Sequence, residues 1–299
     1  MANRGQVHDE RRGREAGGRR ARLSDEQTAR RVLDAALAQL AEQGISVGLD
    51  QLRYEDVVRA ADVSRSSAYR RWPNRDALVE DVLVELARGA YQPGIGAIVA
   101  GRAAEVVASH AAQAADSAGR YDLFVELVRL TFEIDLAATA ASREFRSYLA
   151  LRAAFAGIES DELRSRIAAA LAVGDRRTVA RGAAVLTSAA RLFGMRLVAP
   201  LAAPEGFEVV ARAIFAASVG FVVAAQSDPS LLATTRDAAA YGSSSVAAWS
   251  VPAFAMTGLV LQHLEPDPDT RQLPAAELLA GLARIVGEGA DAAAAVSGS

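Results

Sequence analysis

Apolar residues in this chain recur three and four apart, and nowhere do β-branched residues alternate along a strand's length. A period of three to four stacks side chains on one face of a helix, whereas a half-buried strand requires a period of two. The pattern predicts an all-α fold. Its clearest case begins at Ser24, where "SDEQ" sets a capping serine three residues ahead of Gln27. Val32, Leu33, Ala36, Leu37 and Leu40 follow at helical spacing, and Gly44 ends this first helix. "YEDVVRAA" reads as a short second helix with Val57, Val58 and Ala61 turned inward. Later helices are expected at 97–117, 120–138, 141–156, 160–173, 175–197, 205–226, 246–262 and 274–288, separated by breaks such as "APLAAP" and "EPDPD".

Composition narrows the function. All 33 basic residues are arginine, so an arginine cluster carries less information here than in a lysine-containing protein. Their distribution says more. Residues 1–80 carry a net charge of +2 and residues 81–299 one of −5, which points to an anionic partner at the front end. The absence of cysteine excludes disulfides, thiolate metal sites and cysteine nucleophiles. The three histidines (His8, His110, His263) are scattered and form no metal-binding spacing. No metal, cofactor or catalytic pair is therefore expected, and the chain does not read as an enzyme.

Residues 1–22, rich in arginine and glycine, read as a disordered basic tail and lack the apolar run of a secretory leader. Residues 238–264 carry no formal charge. Their dense apolar part is shorter than the roughly 20 residues a bilayer crossing takes, and Pro252 and Gly258 interrupt it. The expectation is a cytoplasmic protein with no membrane partner.

The stretch "ADVSRSSAYRRWPNRDAL" (61–78) concentrates Arg65, Arg70, Arg71 and Arg75 around a tyrosine and a tryptophan. Ser64 can cap a third helix, which Pro73 stops, since the residue before a proline is pushed out of helical geometry. Asn74 can cap a fourth, with Leu78, Val82 and Leu86 as its inner stripe. Two short helices joined by a tight turn, the second one basic, form a helix-turn-helix. Small residues at Ser66, Ser67 and Ala68 would let the leading end of the second helix approach a major groove. Arg65 is long enough to bond bidentately to guanine. Tyr69, Arg71 and Arg75 can reach phosphates and fix orientation. Arg53 and Tyr54, which open the second helix, join Ser64 and Arg70 in the expected contact set.

With its ordered spacing, "YEDVVRAADVSRSSAYRRWPNRDAL" followed by "VEDVL" resembles the DNA-binding domain of the tetracycline-repressor (TetR) family over roughly residues 24–90. Tyr69 and Trp72 match the Tyr–x–x–aromatic end of that family's recognition helix, and Arg75 its basic residue ahead of the fourth helix. The resemblance implies a homodimeric, ligand-responsive transcriptional regulator, usually a repressor, whose recognition helices enter successive major grooves of a palindromic double-stranded operator. It also implies a helical C-terminal domain that dimerises and encloses a small-molecule effector, whose binding shifts the DNA-reading heads. Three positions depart from the pattern: Asp62 stands where the turn usually has glycine, Arg53 where Thr or Ser often starts the second helix, and Ser66 where glycine is frequent.

The expected organisation is thus a tail (1–22), a helix-turn-helix domain (23–73) and a helical effector-binding and dimerisation domain (74–290), with helix 4 (74–91) joining the two. Phe124, Val128 and Thr131 share one helical face and are candidate walls for a hydrophobic or amphipathic effector, with His110, Phe193, Met195 and Trp249 as further candidates. Segments 205–226 and 246–262 are too apolar to stand exposed on a soluble monomer, which suggests subunit contacts. Two other readings use the same helices: a protein-interaction module that ignores DNA, and an all-helical enzyme.

Overall fold

The computed structural model describes residues 24–43, 52–89, 96–110, 116–202, 205–270, 273–274, 276–278 and 280–285. The expected tail at 1–22, the Gly44 cap, the break at 92–95 and the end of the last helix lie outside these residues. The architecture is all-α with two short antiparallel ribbons.

Four helices build the N-terminal head: α1 (Asp25–Gln43), α2 (Tyr54–Ala60), α3 (Arg65–Arg71) and α4 (Arg75–Arg88). Local chemistry sets their ends. The Gln27 backbone N–H donates to Ser24 Oγ at 3.0 Å, and the Ser24 N–H donates to Gln27 Oε1 at 2.9 Å, a reciprocal capping box. Ser64 accepts from the Ser67 N–H at the start of α3, and Asn74 from the Ala77 N–H at the start of α4. Asp62 takes the left-handed conformation (φ 51°) that the turn demands, which aspartate tolerates better than most residues. Val32, Ala36, Leu40, Val57, Val58, Ala61, Ala68, Trp72 and Leu78 close into one core.

The front of α4 packs in that head, while Val84, Leu86 and Ala87 near its end enter the core of the second domain. One rigid helix therefore connects the two. The second domain contains α5 (Gly96–His110), α6 (Ser117–Ala141), α7 (Arg143–Ala154), α8 (Asp161–Leu192), α9 (Gly206–Ser227), α10 (Ser230–Ala233) and α11 (Val251–Leu261). A further helical stretch covers 276–278 and 280–285. Helix α9 packs along α8, α6 and α11. By length and composition alone it could cross a bilayer, but Glu208 and Arg212 stand on its exposed side.

Two expectations are corrected. The helices expected at 160–173 and 175–197 are a single helix, α8, running through Gly174. A mid-helix glycine costs about 1 kcal/mol, and this one is buried within the helix's packed face. The break falls instead at Gly194 (φ 65°), after which Met195–Leu197 forms β1, paired with β4 (Leu264–Pro266). The helix expected at 246–262 is also divided. Val246–Ser250 is β3, paired with β2 (Thr235–Ala239), and α11 starts only at Val251 with Ser250 as its cap. Pro252 lacks the N–H that a helix interior needs and so marks the first turn. Left-handed Tyr241 (φ 57°) and Gly242 (φ 78°) help reverse the chain between the strands.

Long-range bonds fix this ribbon to α6. Asp122 accepts the Ser244 N–H (2.9 Å) and hydroxyl, the Arg129 guanidinium donates to the Ala248 carbonyl (2.7 Å), and the Tyr121 hydroxyl donates to the Tyr241 carbonyl (2.8 Å). Burial alone would raise the Asp122 pKa, but the serine hydrogen bonds outweigh it and hold the carboxyl below its usual range.

Candidate nucleic-acid interface

Helix α3 buries only Ala68 and presents the rest of its length outward. Arg65, Ser66, Tyr69, Arg70 and Arg71 are exposed along it, and Ser67 is half-buried. Its first turn carries no acid, so its free N–H groups and cationic side chains face solvent together. Arg53 is exposed just before α2 and does not cap it by side chain.

Below this face lies a tightly bonded aromatic floor. Trp72 is 1% exposed, and its indole N–H donates to Asp81 Oδ2 at 3.0 Å. Tyr54 is buried, and its hydroxyl donates to the Trp72 carbonyl at 2.9 Å. That hydroxyl is committed inside the head, so Tyr54 is a packing residue rather than a member of the exposed face. Tyr69 stacks on it, ring centroids 4.9 Å apart. Arg75 also turns inward: its Nε–H donates to the Leu52 carbonyl at 3.0 Å and ties the start of α4 to the approach to α2.

Arg65, Arg70 and Arg71 each have a partner. Arg70 pairs with Asp25 at the head of α1, and Arg71 lies over the Trp72 ring, 5.4 Å from its centroid. Arg65 pairs with Glu55 Oε2 at 3.1 Å, while the Tyr69 hydroxyl donates to Glu55 Oε1 at 2.8 Å. The hydrogen bond to Glu55 is the main reason the Tyr69 phenol is held above its ordinary pKa, with desolvation adding to it. Glu55 therefore holds both Arg65 and Tyr69, two of the side chains expected from the sequence to contact DNA. No sequence pattern revealed it, because the contact crosses the turn from α2 to α3.

A second chain of bonds leaves the head. Asp81 on α4 accepts from Trp72 on one oxygen and from Arg166 of α8 on the other, at 2.5 Å, and Arg166 also reaches Glu80 at 3.3 Å. The floor of the recognition helix is thus bonded, through one carboxylate, to the longest helix of the second domain.

In that second domain, Phe124, Phe193 and Met195 meet at a cavity of about 380 Å³ at the end far from α4, with Asp267 and Thr270 on its rim. Phe124 and Phe193 stack at 4.9 Å. Trp249 is buried in the same cluster and does not line the cavity. Val128 and Thr131 lie farther along α6, both half-buried, and the Thr131 hydroxyl donates to the Leu127 carbonyl. The side chain of His110 lies outside the described residues.

The head, with its left-handed turn and exposed basic α3, defines a helix-turn-helix DNA-binding domain. Residues 32–82 match the family model for bacterial regulatory proteins of the tetR family. Those residues therefore carry a tetR-family DNA-binding domain, which supports a DNA-binding transcriptional regulator. No curated protein and no solved structure matches it.

Proposed function

We propose that the protein is a homodimeric repressor whose two α3 helices enter successive major grooves of a palindromic operator, and that a small molecule bound in the second domain releases it. The observation that carries this reading is the outward face of α3 on a tetR-family head, with Arg65 leading and Arg71 behind. Arg65 at the advancing end contacts bases; Arg53, Tyr69, Arg70 and Arg71 contact phosphates.

Dimerisation is supported by an outward stripe on α9. Val209, Ala213, Ala216, Gly220 and Val223 are all exposed at helical spacing, with Val209 and Val223 more than half exposed. Alongside it, α8 exposes Ala180, Ala184 and Val185. This stripe of apolar, mostly small residues, with Arg212 at its edge, suits close isologous packing against the same face of a second copy. The Trp72–Asp81–Arg166 connection gives a physical route by which a change around α8 would tilt the head.

Glu55 provides the test. Replacing it with glutamine removes a negative charge beside the phosphates and frees Arg65 and Tyr69. Operator affinity should rise several-fold, and the log–log salt slope should steepen by about one. Fluorescence anisotropy with a labelled duplex measures both quantities. Unchanged affinity and slope, in a variant that melts like the parent, would show that this face does not meet DNA.

A further inference from the structure

Helix α6 contains an anomaly in its accessibility. At about 100° per residue, Val128, Thr131, Asp135 and Ala138 form one stripe that starts from Phe124. All four are half-buried. Yet the flanks of the stripe are mostly buried: Leu127 and Leu130 on one side, with Ile134 half-covered between them, and Phe132, Leu136 and Thr139 on the other. The half-exposed Glu126 and Glu133 and the exposed Ala137 lie on the opposite side of the helix, which is its solvent side. A stripe that keeps accessible surface between two buried flanks faces an internal cleft, not bulk water. Val128 belongs to a core cluster in which Leu186 of α8 and Ile214 and Phe221 of α9 are likewise only partly covered, so the surroundings are apolar.

One charge stands in that stripe. Protein surrounds Asp135 on nearly every side, and burial alone pushes its pKa up to about 6, with no hydrogen bond or arginine offsetting it. This is unusual in a chain so rich in arginine. The nearest guanidinium along the helix, Arg129, is already held by Glu126 and Glu133. Buried carboxylates are normally paired or hydrogen-bonded. One left open beside a cleft is a recognition group in want of its partner.

We infer that the cleft along α6 binds an organic cation, an amine or quaternary ammonium with an apolar body, whose charge is met by Asp135. The apolar part lies against Val128 and the half-covered side chains of α8 and α9, and Thr131 supplies a hydroxyl between the two ends. This rests on the reading of the second domain as the effector domain, and narrows the effector's chemistry.

The test uses full-length protein and calorimetric titration with benzyltrimethylammonium and benzyldimethylhexylammonium. The neutral isostere neopentylbenzene and the anion phenylacetate serve as controls. Wild type should bind at least one cation and prefer it to both controls. Asp135→Asn should weaken that binding by at least about tenfold, and Asp135→Glu, which keeps the charge, should restore most of it. Asp135→Asn should melt no lower than wild type, since it removes a desolvated charge that no partner compensates. Failure of both cations to bind, equal binding of the neutral isostere, or unchanged affinity in Asp135→Asn overturns the assignment. DNA release is read separately. Asp135-dependent cation binding that leaves operator affinity unchanged upholds the site and counts against the effector reading. Release by a molecule whose action survives Asp135→Asn does the reverse.

Discussion

Trp72→Ala should destabilise the DNA-binding head by about 3–5 kcal/mol, the usual cost of emptying a buried tryptophan site, and should abolish operator binding. Trp72 is nearly inaccessible and lies at the end of α3, where three elements converge. Its indole N–H bonds Asp81, its carbonyl accepts the Tyr54 hydroxyl, and its ring supports the Arg71 guanidinium. Alanine leaves the backbone carbonyl in place but creates a cavity and frees the end of α3 from α4. The second domain has its own cores and should stay folded. Calorimetry should therefore show a lowered head transition beside an unshifted second one. A variant that melted like wild type and still bound operator would contradict the role given to Trp72.

Gly220→Arg should have the second large effect, on assembly rather than folding. A Cβ added at Gly220 meets nothing within 4 Å, so the isolated subunit tolerates substitution there. In an isologous dimer that closes on this stripe, two arginines would be brought together on an apolar surface without partners. Burying unpaired charge costs several kcal/mol, and about 3 kcal/mol is already a hundredfold in dimer affinity. Sedimentation should show monomers at concentrations where wild type is dimeric, with far-UV helicity unchanged. Operator affinity should fall with it, because each monomer carries a single recognition helix. A dimer that survives Gly220→Arg would place the interface elsewhere.

The head was legible in the sequence because its boundaries are set by neighbours. Ser24 with Gln27, Ser64 ahead of α3, Pro73, and Asn74 ahead of α4 all act within three residues of the backbone they cap. Even the departure at Asp62 resolved locally, as a left-handed residue in the turn. Glu55 was hidden because its bonds to Arg65 and Tyr69 exist only once α2 and α3 cross. The second domain was legible as helices but not in detail. The ribbon of β2 and β3 is held by Asp122 and Arg129, more than a hundred residues away in sequence, and its five-residue strands "TRDAA" and "VAAWS" carry no apolar alternation to read. Pro252 was a visible signal of where α11 begins. Asp135 has no neighbour in sequence that reveals its surroundings. Only its depth in the protein, between largely buried flanks, shows that it faces inward.

Sequence-preferring DNA binding is the central claim, and a mobility-shift titration at moderate salt tests it most directly. Purified protein is titrated against duplexes from upstream of its own gene and its neighbours, with scrambled duplexes of equal length as competitors. At least one natural duplex should bind about a thousandfold or more tighter than its scrambled counterpart, as specific regulators do, with two subunits per site. Equal affinity for natural and scrambled duplexes, or no binding to either, would contradict the account.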